Sequence, residues 1–213
     1  INSFVLDDFE SYLNAENILV GVVEGASSNV EARGTLCLVY KELWPLVAQD
    51  SKDYEAVSVL AKSTRSLDPI GINGTYCEIV RLMTLGKYKE ARGIVEYALN
   101  QPGMSTAPVL YALKAELLSE DRDYKTAALY MDKAKQLWPQ WIKPVFELGR
   151  YDAKMDQSGE AAQMFKDVLQ ANPKHKRAQI EYLSLLFRDF KRSDEAEKVL
   201  LAALASPSRA PRL

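Results

Sequence analysis

The chain has 213 residues, 47% of them hydrophobic and 26% charged, with a formal net charge of −2. This composition is that of an ordinary folded protein, and it excludes a low-complexity or strongly charged chain. Because the charge is nearly balanced and no apolar run approaches the roughly 20 residues of a membrane-spanning helix, we expect neither nucleic-acid binding nor membrane insertion.

The first predicted element, residues 1–29, is an amphipathic helix that caps the structure after it or connects it to another part of the protein. Two helices with a break near Asn14 are the alternative, since Glu16 interrupts the apolar stripe. Asn29 is predicted to be the N-cap of a helix that begins at Val30. The stripe consists of Val5, Phe9, Tyr12, Leu19, Val23 and Ala26.

An internal repeat follows. Pro139, Pro173 and Pro207 are spaced 34 residues apart, and each one ends a similar helical stretch. A second series of alanines, each after an acidic or aromatic turn, recurs at intervals of 34 to 36 residues: Ala56, Ala91, Ala127, Ala161 and Ala196. The chain is therefore predicted to contain repeated units with an underlying period of 34 residues.

These units resemble the tetratricopeptide repeat, a helix-turn-helix pair of about 34 residues. The best unit, residues 142–175, matches the family at Leu148, Gly149, Ala161, Phe165, Val168 and Pro173. The resemblance implies an all-α, right-handed superhelical solenoid of about four to five repeats with an extra N-terminal helix. It also implies small residues where paired helices touch, at Gly86, Ala91, Ala115, Ala127, Gly149, Ala161 and Ala196.

The predicted organisation has three parts. Residues 1–29 form the N-terminal helix, and residues 30–69 form a divergent first repeat in which Pro45 should kink or end a helix. Residues 70–213 hold the clearer repeats, at about 72–104, 108–141, 142–175 and 176–208. The last unit has one extra residue in the turn around Phe190 to Ser193.

Residues that could carry chemistry are few. His175 is the only histidine and lies in a polar turn, so we expect it to be a solvated side chain. Cys37 and Cys77 are expected to supply no disulfide framework, no CxxC pair and no zinc site, and each is expected to be a small buried side chain. No glycine-rich phosphate loop is present. We therefore expect no catalytic residue, no cofactor, no metal and no enzymatic activity.

The family resemblance assigns the first helix of each unit to a concave groove. In the unit at 108–141, that assignment places Glu116 and Glu120 in the groove. In the next two units, at 142–175 and 176–208, it places mainly basic residues there. A partner protein or peptide with an acidic segment would complement it; a solvated polar face is the equal alternative. The predicted groove residues are Lys143, Phe146, Arg150, Lys154, Arg177, Ile180, Ser184 and Arg188.

The function that follows is a protein-interaction scaffold or adaptor. Because the chain opens at Ile1 without methionine, the alternative is a regulatory or sensory segment of a larger multidomain signalling protein. A homo-oligomer formed through the first helix is a further alternative. The cytoplasm is the default compartment, and the periplasm stays open.

Overall fold

The computed structural model describes residues 9–43, 54–190 and 193–205, and in these ranges the regular structure is entirely helical. A short π-helical turn, Leu186–Phe190, follows the tenth helix. The predictions for Val5, Pro45 and Pro207 lie outside the described residues. The helices are α1 (Phe9–Gly25), α2 (Val30–Leu43), α3 (Tyr54–Leu67), α4 (Ile72–Thr84), α5 (Tyr88–Leu99), α6 (Pro108–Glu120), α7 (Tyr124–Leu137), α8 (Lys143–Lys154), α9 (Ser158–Ala171), α10 (Lys176–Leu185) and α11 (Ser193–Ala205).

The helices pack in sequence as an all-α repeat solenoid, as predicted. Four pairs, α4–α5, α6–α7, α8–α9 and α10–α11, lie within the four clearer units predicted from the sequence. α1 is one continuous helix without a break at Asn14, and it packs against α2. The backbone N–H of Ala32 donates to Asn29 Oδ1 at 3.0 Å, so Asn29 caps α2 as predicted.

The turn inside the repeat has a recurring backbone geometry. After α4, Gly86 has a φ of +71°, its N–H donates to Met83 O, and the next N–H, of Lys87, donates to Leu82 O. This pair of bonds is a Schellman motif, which needs a left-handed residue and therefore favours glycine. Arg122 after α6 and Asp156 after α8 have the same left-handed backbone, with φ of +62° and +61°.

The small residues of the repeat lie where helices approach each other. All five alanines of the predicted set have no exposed surface: Ala91, Ala115, Ala127, Ala161 and Ala196. Gly149 of α8 lies directly against α9, where a Cβ atom would come within 2.9 Å of Phe165 Cε1 and 3.0 Å of Met164 Cβ. Gly86 has a different role, because it forms the turn rather than a helix contact.

Cys37 of α2 and Cys77 of α4 are both buried, as expected, but the exclusion of a disulfide is wrong, because the two form one. The two helices lie close enough for this, with a Cα–Cα distance of 5.6 Å. Gly34 permits the approach, since a Cβ there would lie 2.1 Å from Asn73 Oδ1. Contacts between cysteines 40 residues apart depend on helix packing, which their spacing alone does not reveal.

The expectation for His175 is also wrong, because its side chain is only 1% exposed. Its Nδ1 accepts a hydrogen bond from the backbone N–H of Ala178 at 3.0 Å, which makes His175 the N-cap of α10. The ring also packs on Phe146, with centroids 4.9 Å apart. The polar turn around His175 therefore folds onto α8 and is not solvated.

The π-helical turn accommodates the extra residue of the last unit. It ends at Phe190, where the sequence places the extra residue, and α11 begins at Ser193. A π-helical turn holds about one residue more than an α-helical turn, and this turn lies directly before the predicted position of the extra residue.

Candidate partner-binding surface

All eight predicted groove residues lie on α8, on α10 or on the π-helical turn, but two of them are buried. Lys143 is 3% exposed and Phe146 has no exposed surface. The other six are partly or fully exposed: Arg150, Lys154, Arg177, Ile180, Ser184 and Arg188. We call these six, together with Phe187, the α8–α10 face.

Lys143 belongs to a buried charge cluster formed by Lys41, Glu42, Glu116 and Lys143. Its Nζ lies against Glu42 Oε1 of α2 and 2.7 Å from Glu116 Oε1 of α6. Lys41 Nζ lies 2.5 Å from Glu116 Oε2. The cluster therefore joins α2, α6 and α8, and Lys143 is not available as a surface cation.

The cluster shifts the titration of its members. Burial alone would raise the pKa of Glu116, but the charges of Lys143 and Lys41 outweigh it and lower that pKa to about 2. Burial would lower the pKa of Lys143, but Glu116, Glu42 and Glu147 hold it well above its usual value. Next to them, burial raises the pKa of the Tyr76 phenol, and the charge of Glu42 adds to this. Glu116 and Lys143 are thus ionised at neutral pH, while Tyr76 is neutral.

A second group of charges lies at the border of the α8–α10 face. Glu147 is buried, and it accepts hydrogen bonds from Arg150 at 2.7 Å and Arg177 at 3.2 Å. The Arg177 guanidinium also lies 4.6 Å from the centre of the Phe146 ring. Glu147 and Phe146 therefore hold the two arginines in place from beneath.

The face includes two exposed apolar side chains. Ile180 is 66% exposed and Phe187 is 59% exposed, and Ser184 lies between them at helical spacing. Lys154 is exposed at the end of α8. Arg188 is paired with Asp189, whose Oδ1 is 2.7 Å from Arg188 Nε. The face is therefore less basic than the sequence indicated, because three of its four cations contact carboxylates.

Two residues, Phe187 of the α8–α10 face and Glu42 of the buried charge cluster, were not identified from the sequence. Phe187 could have been found, because it follows Ile180 and Ser184 on the same helical stripe. Glu42 could not, since it is 101 residues from Lys143 and belongs to the divergent first unit.

Within the described ranges, none of the helices has the length and apolar character needed to cross a membrane. In the same parts of the chain, no three His, Cys, Asp or Glu side chains are grouped as metal ligands would be.

Comparisons with known proteins identify the fold. No family model and no curated protein matches the chain. It is similar to the structure of human IFIT1 solved as a dimer with m7Gppp-AAAA, with a TM-score of 0.73 and 15% identity. That match covers 91% of this chain but 45% of IFIT1, so the chain spans less than half of that protein.

Two further structures are matched over most of both chains. PilF of Pseudomonas aeruginosa has a TM-score of 0.66 and 19% identity, over 87% of this chain and 80% of PilF. YrrB, a TPR protein described with an unusual peptide-binding site, has a TM-score of 0.54 and 17% identity, over 88% of this chain and 91% of YrrB. The predicted resemblance to the tetratricopeptide repeat is confirmed at the level of the fold.

Proposed function

We propose that the chain is a protein-interaction scaffold, without catalytic activity of its own, that binds a partner protein or peptide on the α8–α10 face. The observation that carries this proposal is the exposure of Ile180 on α10 and of Phe187 on the π-helical turn that follows it. Large apolar side chains exposed together beside charged groups are typical of interaction sites. The peptide-binding site of YrrB supports a peptide partner by analogy of fold alone.

Binding would combine apolar contact with charge. Apolar side chains of the partner pack on Ile180 and Phe187 and supply most of the affinity. Lys154 favours a partner carboxylate, which sets orientation and association rate more than affinity. Glu147 holds Arg150 and Arg177 before the partner arrives, so little side-chain freedom is lost on binding.

A protein partner fits this face better than a nucleic acid does. Binding to phosphate backbones needs several cations that are free to contact phosphates. Here Arg150 and Arg177 contact Glu147, and Arg188 contacts Asp189. The m7Gppp-AAAA of the IFIT1 structure is a ligand of that protein.

The disulfide is relevant to the cellular compartment in which the protein works. A stable Cys37–Cys77 bond favours an oxidising compartment, such as the periplasm, over the cytoplasm that was the default from sequence. We therefore place the proposed scaffold in an oxidising environment.

The test is an affinity pull-down from the source cells with Ile180→Asp, quantified by mass spectrometry against the unmodified protein. The matched control is Leu129→Asp, because Leu129 of α7 is 69% exposed and lies outside the face. Circular dichroism must show that both variants are folded.

We expect one protein to be lost with Ile180→Asp and retained with Leu129→Asp. A further variant, Lys154→Glu with Arg188→Glu, should weaken capture of the same protein if its bound segment is acidic. Equal retention by Ile180→Asp and the control would place the binding site elsewhere and contradict the proposal.

A further inference from the structure

A cavity of about 670 Å³ opens between α1, α2 and α3. Its lining comes from these three helices alone and shares no residue with the α8–α10 face. The volume lies within the range of pockets that hold ligands, roughly 300 to 1,000 Å³. The apolar part of the lining includes Val20, Val23, Leu36, Val59 and Leu60.

Some apolar side chains at this cavity are not buried by the fold. Val59 of α3 is 60% exposed at the cavity wall. In α1, which contains the most apolar run of the chain, Tyr12 alone of the residues Phe9–Gly25 is buried. The apolar surface left open here is available for contact with another molecule.

The charges around the cavity are mainly negative. Glu24 of α1 and Glu55 of α3 line it, and neither makes an ion pair within the described ranges. Its one lining cation, Arg33, already donates to Ser27 O at 2.5 Å and to Ser63 Oγ at 2.7 Å. α1 carries three glutamates and no lysine or arginine.

We propose that this cavity is the docking site of a basic amphipathic segment from a partner protein. Apolar side chains of that segment lie between Val23 and Val59, and its lysines or arginines meet Glu24 and Glu55. A second copy of this chain fits less well, because it would bring the same acidic groups together. The site is additional to the proposed function and independent of it.

The test uses a labelled synthetic peptide of about four helical turns, built from leucine and lysine with the period of an amphipathic helix. Fluorescence anisotropy measures its binding to the full chain. The matched probe is the same peptide with glutamate in place of lysine. The test variants are Val59→Ser and the pair Glu24→Gln and Glu55→Gln. The control variant is Leu129→Ser, because Leu129 of α7 is also largely exposed, at 69% against 60% for Val59.

We expect the lysine peptide to bind and the glutamate peptide not to bind. Val59→Ser should weaken binding about fivefold to tenfold, as loss of an apolar anchor does, while Leu129→Ser leaves it unchanged. The glutamine pair should weaken binding and reduce its dependence on salt.

Three outcomes would overturn the proposal. The first is equal binding of both peptides, and the second is unchanged binding to Val59→Ser. The third is a dimer of the unmodified protein in light scattering that Val59→Ser converts to monomer, since the occupant would then be a second copy.

Discussion

Glu42 and Lys143 form a buried ion pair although 101 residues separate them in the chain. Glu42 belongs to α2 and Lys143 to α8, so the pair joins two helices that are separated in the sequence by α3 to α7. Glu116 of α6 completes the contact with Lys143. Side chains thereby link α2 directly to α8.

Replacing Lys143 should destabilise the fold strongly. Lys143→Met leaves Glu42 and Glu116 buried with Lys41 as their remaining cation, and removing one partner of a buried pair costs about 3 to 5 kcal/mol. Lys154→Met, on the exposed end of the same helix, should change stability by less than about 0.5 kcal/mol. Urea unfolding measures both.

Removing Lys143 together with its two carboxylate partners should be milder, because the remaining charge, on Lys41, is partly exposed to water. Lys143→Met combined with Glu42→Gln and Glu116→Gln leaves no uncompensated carboxylate and should recover part of the loss. If Lys143→Met and Lys154→Met unfold at the same urea concentration, the cluster does not contribute as the structure indicates.

Stability should fall in acid because of Glu116. The pKa of Glu116 is lowered from 4.5 to about 2 in the folded protein. The ionised carboxylate therefore contributes its full stabilisation at pH values above 4.5, and this stabilisation is lost as the pH falls towards 2. That difference corresponds to roughly 3 kcal/mol. Between about pH 5 and pH 2, Glu116→Gln should lose less stability than the unmodified protein. Glu120→Gln, at an exposed position on the same helix, should lose as much stability as the unmodified protein. An identical acid profile for all three proteins would contradict the assignment.

Gly149→Ala should destabilise the α8–α9 contact. The added Cβ would press on Phe165 and Met164, and overpacking of this kind costs about 1 to 3 kcal/mol. Gly93→Ala is the control, because Gly93 lies inside α5 with no atom within 4 Å of a Cβ. It should stabilise the protein by up to about 1 kcal/mol. A stabilising Gly149→Ala would show that α8 can move away at little cost.

Substitutions at two turn positions, Arg122 and Gly86, should change the stability of the protein in opposite directions. Arg122 adopts a left-handed backbone that costs non-glycine residues about 1 to 2 kcal/mol, partly offset by the greater freedom of glycine in the unfolded chain. We expect Arg122→Gly to stabilise the protein by about 0.5 to 1 kcal/mol and Gly86→Ala to destabilise it by about as much. Thermal unfolding of both variants checks the pair, and two shifts of the same sign would disagree with the turn geometry.

Breaking the disulfide should lower stability by about 4 kcal/mol, the value expected for closing a loop of this length in the unfolded chain. The double variant Cys37→Ala and Cys77→Ala should lose a comparable amount and should no longer respond to reductant. Mass spectrometry after alkylation shows whether the thiols react only once the protein has been reduced. Alkylation without reduction would show that the bond is absent in solution.

The sequence alone determined the repeated part of this protein. Helix pairs, their turns and the small residues between them depend on neighbours a few positions away or on a period of 34 residues, and both are visible in the chain. Ala161, Gly149 and the N-cap Asn29 were identified for this reason. The exposed face of α10 was found in the same way through Ile180 and Ser184.

Only the tertiary structure decided which of the polar residues are buried and what they contact. Lys143 was assigned to an open groove by the family resemblance, and His175 was assigned to a solvated turn because it lies in a polar stretch of sequence. Their burial depends on Glu42 and on Phe146, which reach them only after the helices have stacked. The same holds for Cys37 and Cys77, since the angle between successive helix pairs, set by the sum of many packing contacts, determines which distant side chains meet.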